Sequence, residues 1–390
     1  MNHAKFFTAR FSALLCGILA ITIITIPVLM ATLPKTDYSP EENRMLSSMP
    51  RLSAESLSDG QYTRELSQYL CDHLPLRGTL LKTKSAVEYA TLKRENNDVI
   101  AAENGYLIKR FSYTKPQRQM LEQNIAAAKG LSEALSGRQK PAVFVLAPRA
   151  IDVLDHLCPP FLSEPYSIWE KEDAQGLSQS IRQQLRAKAS EGEDVWFRTD
   201  HHWTALGAYY VYAALGDALG YEPYPLSDFR AAAVCEDFLG TSYSACLAPL
   251  ARPDSIIAMR YEGDGDFVCE DMITGKRQIG FYRREALSLA AKYEYFLGRN
   301  TAHLKITKNT DQPRQTLTLI KDSYAQCLVP FLARHFDIEL IDLRYFRADA
   351  TDTLCEITQS PHYAGTLILY NVDTLTADVG FLRLDTEKLQ

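Results

Sequence analysis

Ala142-Val143-Phe144-Val145-Leu146 is a short, unbroken apolar run that ends at Pro148. A strand with one wet face alternates apolar and polar residues. A continuous run of this length is instead the pattern of a strand buried on both faces, as in a parallel sheet. Working outward, Thr316 to Ile320, Ile338 to Leu343 and Thr366-Leu367-Ile368-Leu369-Tyr370 read as further strands, and Val195-Trp196-Phe197 as another. Helical stretches separate them: about Lys115 to Leu135, about Asp173 to Ala189, Ala205 to Leu219 before Gly220, Tyr324 to His335, and a piece near Thr351. Asn104-Gly105, between Val99-Ile100 and Tyr106-Leu107-Ile108, marks a hairpin. This alternation predicts an α/β fold: a three-layer α/β/α sandwich on a mostly parallel sheet. Residues 221–300, with Pro223, Pro225, several glycines and three cysteines, break the rhythm and read as an irregular, partly β insertion.

Upstream, Lys5 and Arg10 precede an uncharged run from Phe11 to Leu33. Such a run is long enough to cross a hydrocarbon core of roughly 30 Å. Cations before it and none within it predict a cytoplasmic tip, a transmembrane anchor over 1–33 and an extracellular remainder. The run exceeds the ~7–15 residues of a usual signal core, which favours an uncleaved anchor over a signal peptide. Residues 34–54, with Pro34, Pro40 and Pro50, read as a linker, and Glu41-Glu42-Asn43-Arg44 within it as a solvated charge run. Residues 55–98 open the extracellular domain with two helices broken around Asp72-His73-Leu74-Pro75-Leu76-Arg77, where Asp72 and Arg77 could pair.

The 390 residues carry a net charge of −6, which argues against a nucleic-acid partner. Seven cysteines lie outside the span, an odd number that cannot all pair in one chain. Cys235, Cys246 and Cys269 could supply one disulfide, with buried free thiols as the alternative. No GxGxxG, Walker A, CxxC or internal repeat is present, and no cofactor or structural zinc is expected.

In open parallel sheets, ligands bind beyond the carboxyl ends of the strands. Three expected strands end in polar residues: Thr199-Asp200-His201-His202-Trp203, Lys321-Asp322-Ser323-Tyr324, and Asn371. An acid, an imidazole and a hydroxyl on one edge are the parts of an acyl-transfer triad. In that reading Ser323 is the nucleophile at a helix N-terminus, its own N–H aimed at the oxyanion. His202 is the base and Asp200 holds its tautomer; Asn371 adds an oxyanion donor. His201 could replace His202, although adjacent residues rarely aim side chains at one another, which favours the Asp200–His202 pair. Trp203 would pack behind the histidine or, less favourably, stack on a sugar ring. Each has a structural alternative: Ser323 as an N-cap, Asn371 as a turn residue, Asp200-His201-His202 as a capped loop or metal site.

With these residues in hand, the chain resembles the DHHW-motif proteins, named for the tetrapeptide at Asp200 to Trp203. Glu42-Asn43-Arg44, Asp72-x-x-Pro75-x-Arg77, Thr204 to Tyr210, Tyr295-Phe296-Leu297-Gly298 and Lys321-Asp322-Ser323 extend the resemblance. The arrangement is also similar to the SGNH (GDSL-like) acyltransferases of polysaccharide O-acetylation, of the alginate-acetylating type. They place an Asp-x-His-Trp motif before the catalytic serine, as Asp200, His202, Trp203 and Ser323 stand here. Asn371 matches the oxyanion asparagine of the wider group, and Asp322 the acid of its Gly-Asp-Ser turn. The resemblance implies an SGNH-like fold and an O-acetyltransferase of the cell envelope. It further implies a cell-surface polysaccharide as acceptor and a membrane protein that delivers the acyl group. A carbohydrate esterase with the same triad and a non-catalytic glycan-binding or envelope-assembly protein are the alternatives. Two departures stand out: Lys321 occupies the Gly position of the turn, and the oxyanion glycine has no clear counterpart, Gly298 or the backbone near Arg344 being the substitutes.

Overall fold

The computed structural model describes residues 2–136, 140–162, 168–170, 176–346 and 349–389. By contacts the chain divides into two units, Met1–Lys93 with Leu247–Pro249, and Arg94–Cys246 with Leu250–Gln390.

The smaller unit starts with one long helix, α1 (Asn2–Thr32). Its section Phe11–Thr32 has a mean hydropathy of 2.6 and is largely exposed, so it is long and apolar enough to cross a membrane. Helices α2 (Gln61–Asp72) and α3 (Arg77–Ala90) follow, broken at Pro75 as its missing N–H requires. The Glu41 to Arg44 run is not the solvated stretch its composition suggests. Arg44 grips the buried Asp72 carboxylate with two bonds of 2.5 and 3.0 Å, and Ser47 adds its N–H and hydroxyl at 2.9 Å each. Arg77 takes Glu42 with two bonds of 2.9 and 3.0 Å and reaches Asp72 only at 3.9 Å. The Arg44 guanidinium holds the Asp72 carboxyl well below the usual carboxylate range.

The larger unit carries the sheet. Among the described residues this sheet has seven strands: β1 (Ala142–Ala147), β2 (Phe267–Asp271), β3 (Arg277–Ile279), β4 (His303–Lys308), β5 (Thr316–Lys321), β6 (Asp337–Ile341) and β7 (Tyr363–Asn371), in the order β3-β2-β4-β6-β5-β7-β1. The four strands β6-β5-β7-β1 are parallel, and β4, β2 and β3 form an antiparallel wing. Side chains alternate between two cores. Leu317 and Leu319 of β5 with Leu367 and Leu369 of β7 face α5 (Leu177–Ser190) and α6 (Ala205–Leu219). Ile320, Ile368 and Tyr370 face the helices α4 (Lys115–Ser136) and α7 (Thr351–Thr358). This is the three-layer α/β/α sandwich with a mostly parallel centre.

Several elements differ from expectation. Val195-Trp196-Phe197 is no strand; Trp196 meets Trp203 in a single antiparallel bridge, so the chain doubles back instead of joining the sheet. Residues 267–279 are not part of an insertion but supply β2 and β3, and β4 was not anticipated. The irregular β region keeps only the ribbon Arg230–Phe238 with Asp254–Arg260. The expected helix from Tyr324 to His335 is a 3-10 turn, Ser323–Ala325, and a short helix, Val329–Leu332. Pro330 sits in the first turn of that short helix, where its missing N–H starts a helix rather than continues one. The hairpin at Asn104-Gly105 forms, with Ile100 opposite Ile108. Residues 173–175 of another expected helix lie outside the described residues. None of the eight cysteines is joined in a disulfide. The thiols of Cys235 and Cys269 donate instead to Asp237 Oδ1 (3.0 Å) and the Gly280 carbonyl (3.3 Å).

Candidate active site

Two separately held pieces of chain meet at the carboxyl end of β5. The first is the loop from Trp196 to Trp203. Asp254, itself buried on the ribbon, accepts the Arg198 and Thr199 N–H groups at 2.8 Å each and the Thr199 hydroxyl at 2.5 Å. The Thr204 N–H returns to the Val195 carbonyl at 3.0 Å, which closes the loop. Thr204 then caps α6 by accepting the Gly207 N–H at 3.1 Å. A methyl group on Gly207 would stand 2.3 Å from the Val195 carbonyl oxygen, so only glycine lets α6 lie this close to the loop.

The second piece is the turn after β5. Asp322, fully buried, accepts the Tyr324 N–H at 3.0 Å with one oxygen. With the other it accepts the Asn371 N–H at 2.8 Å and the Thr374 hydroxyl at 2.7 Å. It therefore ties the Ser323 turn to the end of β7.

Between these pieces runs an unbroken hydrogen-bonded chain. His202 Nδ1 lies 2.6 Å from Asp200 Oδ1, and His202 Nε2 lies 2.8 Å from Ser323 Oγ. A carboxylate can only accept, so Nδ1 carries the ring proton and Nε2 is left to accept from the serine hydroxyl. Asp200 also accepts the His202 N–H at 3.0 Å, the Thr241 N–H at 2.8 Å and the Thr241 hydroxyl at 3.1 Å. Burial would raise its carboxyl, but the two imidazoles and the Thr241 N–H outweigh that and hold it well below the usual range. Asp200 and His202 are buried and Ser323 is partly open. No protein acceptor for the Ser323 N–H is found among the described residues, which leaves that donor for a ligand oxygen.

The other singled-out residues take different places. His201 Nδ1 lies 2.5 Å from Thr241 Oγ1, and about a third of its side chain is exposed, so it flanks His202 and does not face Ser323. Trp203 is fully buried and donates to the Tyr324 carbonyl at 2.9 Å; it forms the wall behind the loop and no sugar can reach it. Asn371 donates from Nδ2 to the Ala147 and Pro148 carbonyls at 3.2 Å each and accepts the Asp373 N–H at 3.0 Å. Its amide is taken up in capping the turn after β7, not in facing an oxyanion. Asp322 is likewise a fastening and not a substrate group. Gly298 donates its N–H to the Glu294 carbonyl and Arg344 donates its own to Asp342, so neither backbone is a free oxyanion donor. Lys321 has ordinary strand geometry, its buried ammonium meeting Asn300 Oδ1 at 2.5 Å and Asp342 at 3.6 Å, so the turn does not call for glycine there.

Asp200, His201 and His202 offer ligand atoms within 4.8 Å of one another. Both ring nitrogens of His202 are already engaged with Asp200 and Ser323, however, and a cation would have to break those bonds.

Sequence reasoning missed Gly240, Thr241 and Tyr293. Gly240 leaves room for the Asp200 carboxylate, since a methyl group there would stand 2.3 Å from Asp200 Cβ. Tyr293 lies flat on the His202 ring, centroids 3.8 Å apart and planes 5° apart. It stands two residues before Tyr295-Phe296-Leu297-Gly298, so that motif was the available signal.

Residues 178–341 match the DHHW protein family, and residues 99–241 match the SGNH hydrolase-like domain of the acetyltransferase AlgX. No curated protein sequence shows a significant match. Among solved structures, a DHHW family protein from Eubacterium siraeum is 20% identical, covering 74% of this chain and 96% of its own, with a TM-score of 0.52. Bacillus cereus PatB1 with a sulfonyl adduct is 18% identical, covering 74% of this chain and all of its own, with a TM-score of 0.55. In sequence and in fold the chain is thus similar to the DHHW proteins and to the SGNH hydrolase-like acetyltransferases, which are acyl-transferring enzymes.

Proposed function

We propose that this protein is an O-acyltransferase that moves an acetyl group onto a hydroxyl of a cell-surface polysaccharide through Ser323, His202 and Asp200. The observation that carries the reading is the chain of contacts at 2.6 and 2.8 Å from carboxylate to imidazole to hydroxyl. As Ser323 Oγ attacks the acyl carbonyl, its proton passes to His202 Nε2. The Ser323 N–H meets the oxygen that gains charge. Collapse expels the donor's alkoxide, which takes the proton from His202 and leaves an acyl-serine. A sugar hydroxyl then gives its proton to His202 and attacks the acyl-serine, and Ser323 leaves by taking that proton back from His202. Asp200 stays ionised throughout, holding the tautomer and facing the imidazolium. With water in place of the sugar the same steps describe an esterase; the resemblance to acetyltransferases favours transfer. The apolar helix α1 serves in this reading as the anchor that keeps the larger unit outside the cell near its glycan, and a membrane protein would supply the acyl group.

The PatB1 structure holds a sulfonyl adduct, which makes a sulfonyl fluoride the natural probe. Full-length protein treated with phenylmethylsulfonyl fluoride should gain the adduct on Ser323 by peptide mass spectrometry, and Ser323→Ala and His202→Ala should not. Asp200→Asn should slow labelling by up to about 10⁴ by favouring the wrong tautomer. Folded protein that remains unlabelled would instead mark a glycan-binding protein built on the same frame.

A further inference from the structure

The proposed base is gripped on both faces. Tyr293 covers one, with centroids 3.8 Å apart and planes 5° apart; His201 covers the other, also at 3.8 Å and tilted by 39°. Tyr293 is itself buried, wedged between Phe197 (6.2 Å, edge on) and Phe296 (5.6 Å). Its hydroxyl lies 3.4 Å from the Ser323 carbonyl oxygen and 3.3 Å from Cys327 Sγ, so one residue touches both the imidazole and the backbone of the nucleophile. Neither contact is needed for the hydrogen bonds of the triad, so Tyr293 touches the site in addition to packing in the core.

We propose that Tyr293 is a positioning residue for His202, whose ring face fixes the imidazole plane toward Ser323 and steadies the imidazolium formed when the serine proton arrives. Two physical terms support it, both resting on the triad reading above. A ring held between two plates cannot swing about its χ2 bond, so the Nε2 to Oγ vector is set before substrate binds. The face of a tyrosine is the negative side of its quadrupole, so it attracts a cationic ring more than a neutral one. The benefit therefore grows as the proton moves, which is the condition for lowering a barrier and not merely tightening binding.

The test uses full-length protein in detergent with 4-nitrophenyl acetate as acyl donor. Tyr293→Leu and Tyr293→Met both remove the π face, and Met keeps a long side chain in the cavity. Each should lower kcat by about tenfold or more with KM within about twofold, because orientation and not binding is lost. Tyr293→Phe keeps the face and loses only the hydroxyl, and should recover most of the rate, within about threefold of the parent. A folded Leu or Met variant with parental kcat overturns the proposal, as does a Phe variant no better than Leu. If both aliphatic variants fail to fold, the parent protein still decides. With carbon-13-labelled histidine, the His202 ring protons should be shifted upfield by the overlying ring, and unshifted resonances overturn the stack. Ser323→Ala separates the two readings: if it retains parental turnover, the triad reading fails, whatever Tyr293 does.

Discussion

Asp373 is a carboxyl that burial makes harder to ionise. It follows Asn371 in the turn after β7, and its Oδ1 accepts the Tyr113 hydroxyl, to which Arg149 donates at 3.0 Å. Desolvation pushes its pKa up to about 7, against the pull of Arg149 and the Tyr113 bond. In the unfolded chain it would titrate near 3.9. Below about pH 4 both states hold the proton. Between about 4 and 7 the unfolded chain releases it and the folded chain does not, so stability is greatest below that window and falls as pH rises through it. Asp373→Asn should flatten this slope, seen as a smaller difference between urea midpoints at pH 5 and pH 7. An unchanged difference would show that the carboxyl already ionises in the fold. At this scale the sequence was legible where chemistry demands a particular type at a particular spacing. Asp200, His202 and Ser323 come together because an acid two residues before a base, and a hydroxyl after a buried strand, admit few arrangements. Asn371 was misjudged because a cap and an oxyanion donor call for the same side chain, and only its partners tell them apart.

At the scale of elements, the loop from Trp196 to Trp203 depends on a neighbour forty residues away. The Gly240 to Thr241 segment holds the far side of Asp200, and a methyl group on Gly240 would stand 2.3 Å from Asp200 Cβ and 2.4 Å from Oδ2. Gly240→Ala should therefore displace the carboxylate. The expected cost is about 1–3 kcal/mol in a urea melt, with turnover of 4-nitrophenyl acetate falling at least about tenfold. Parental turnover in that variant would mean that Asp200 is not held where it stands here. Nothing in the sequence marks position 240, since a close approach between distant segments leaves no local pattern. The buried parallel strands were readable for the opposite reason: β1, β5 and β7 each carry their environment in their own composition. Val195 to Phe197 mimicked them because a short apolar run can be buried by doubling back on Trp203 as well as by joining a sheet. Strand β4 escaped because it lies in the wing, where Lys305, Thr307 and Lys308 keep partial contact with water and dilute the apolar signal.

For the molecule as a whole, α1 carries the clearest expectation. Its apolar section is largely exposed, and in water that exposure would be costly at roughly 25 cal/mol per Å². Full-length protein should stay with the membrane pellet after alkaline carbonate extraction, and a chain starting at residue 34 should move to the supernatant. Full-length protein found in the supernatant, or processed to a shorter form, would identify α1 as a leader rather than an anchor. The larger unit has a further property that follows from how its site is fastened. Asp200 and His202 ride on a loop tied through Asp254 to the ribbon, while Ser323 rides on the central sheet and is tied by Asp322 to β7. No covalent link or shared hairpin sets the gap between imidazole and hydroxyl; side-chain packing and the hydrogen bond from Trp203 to the Tyr324 carbonyl set it. On the proposed reading, a nascent or heat-loosened chain whose layers have not locked together would therefore lack the paired imidazole and hydroxyl and be unreactive.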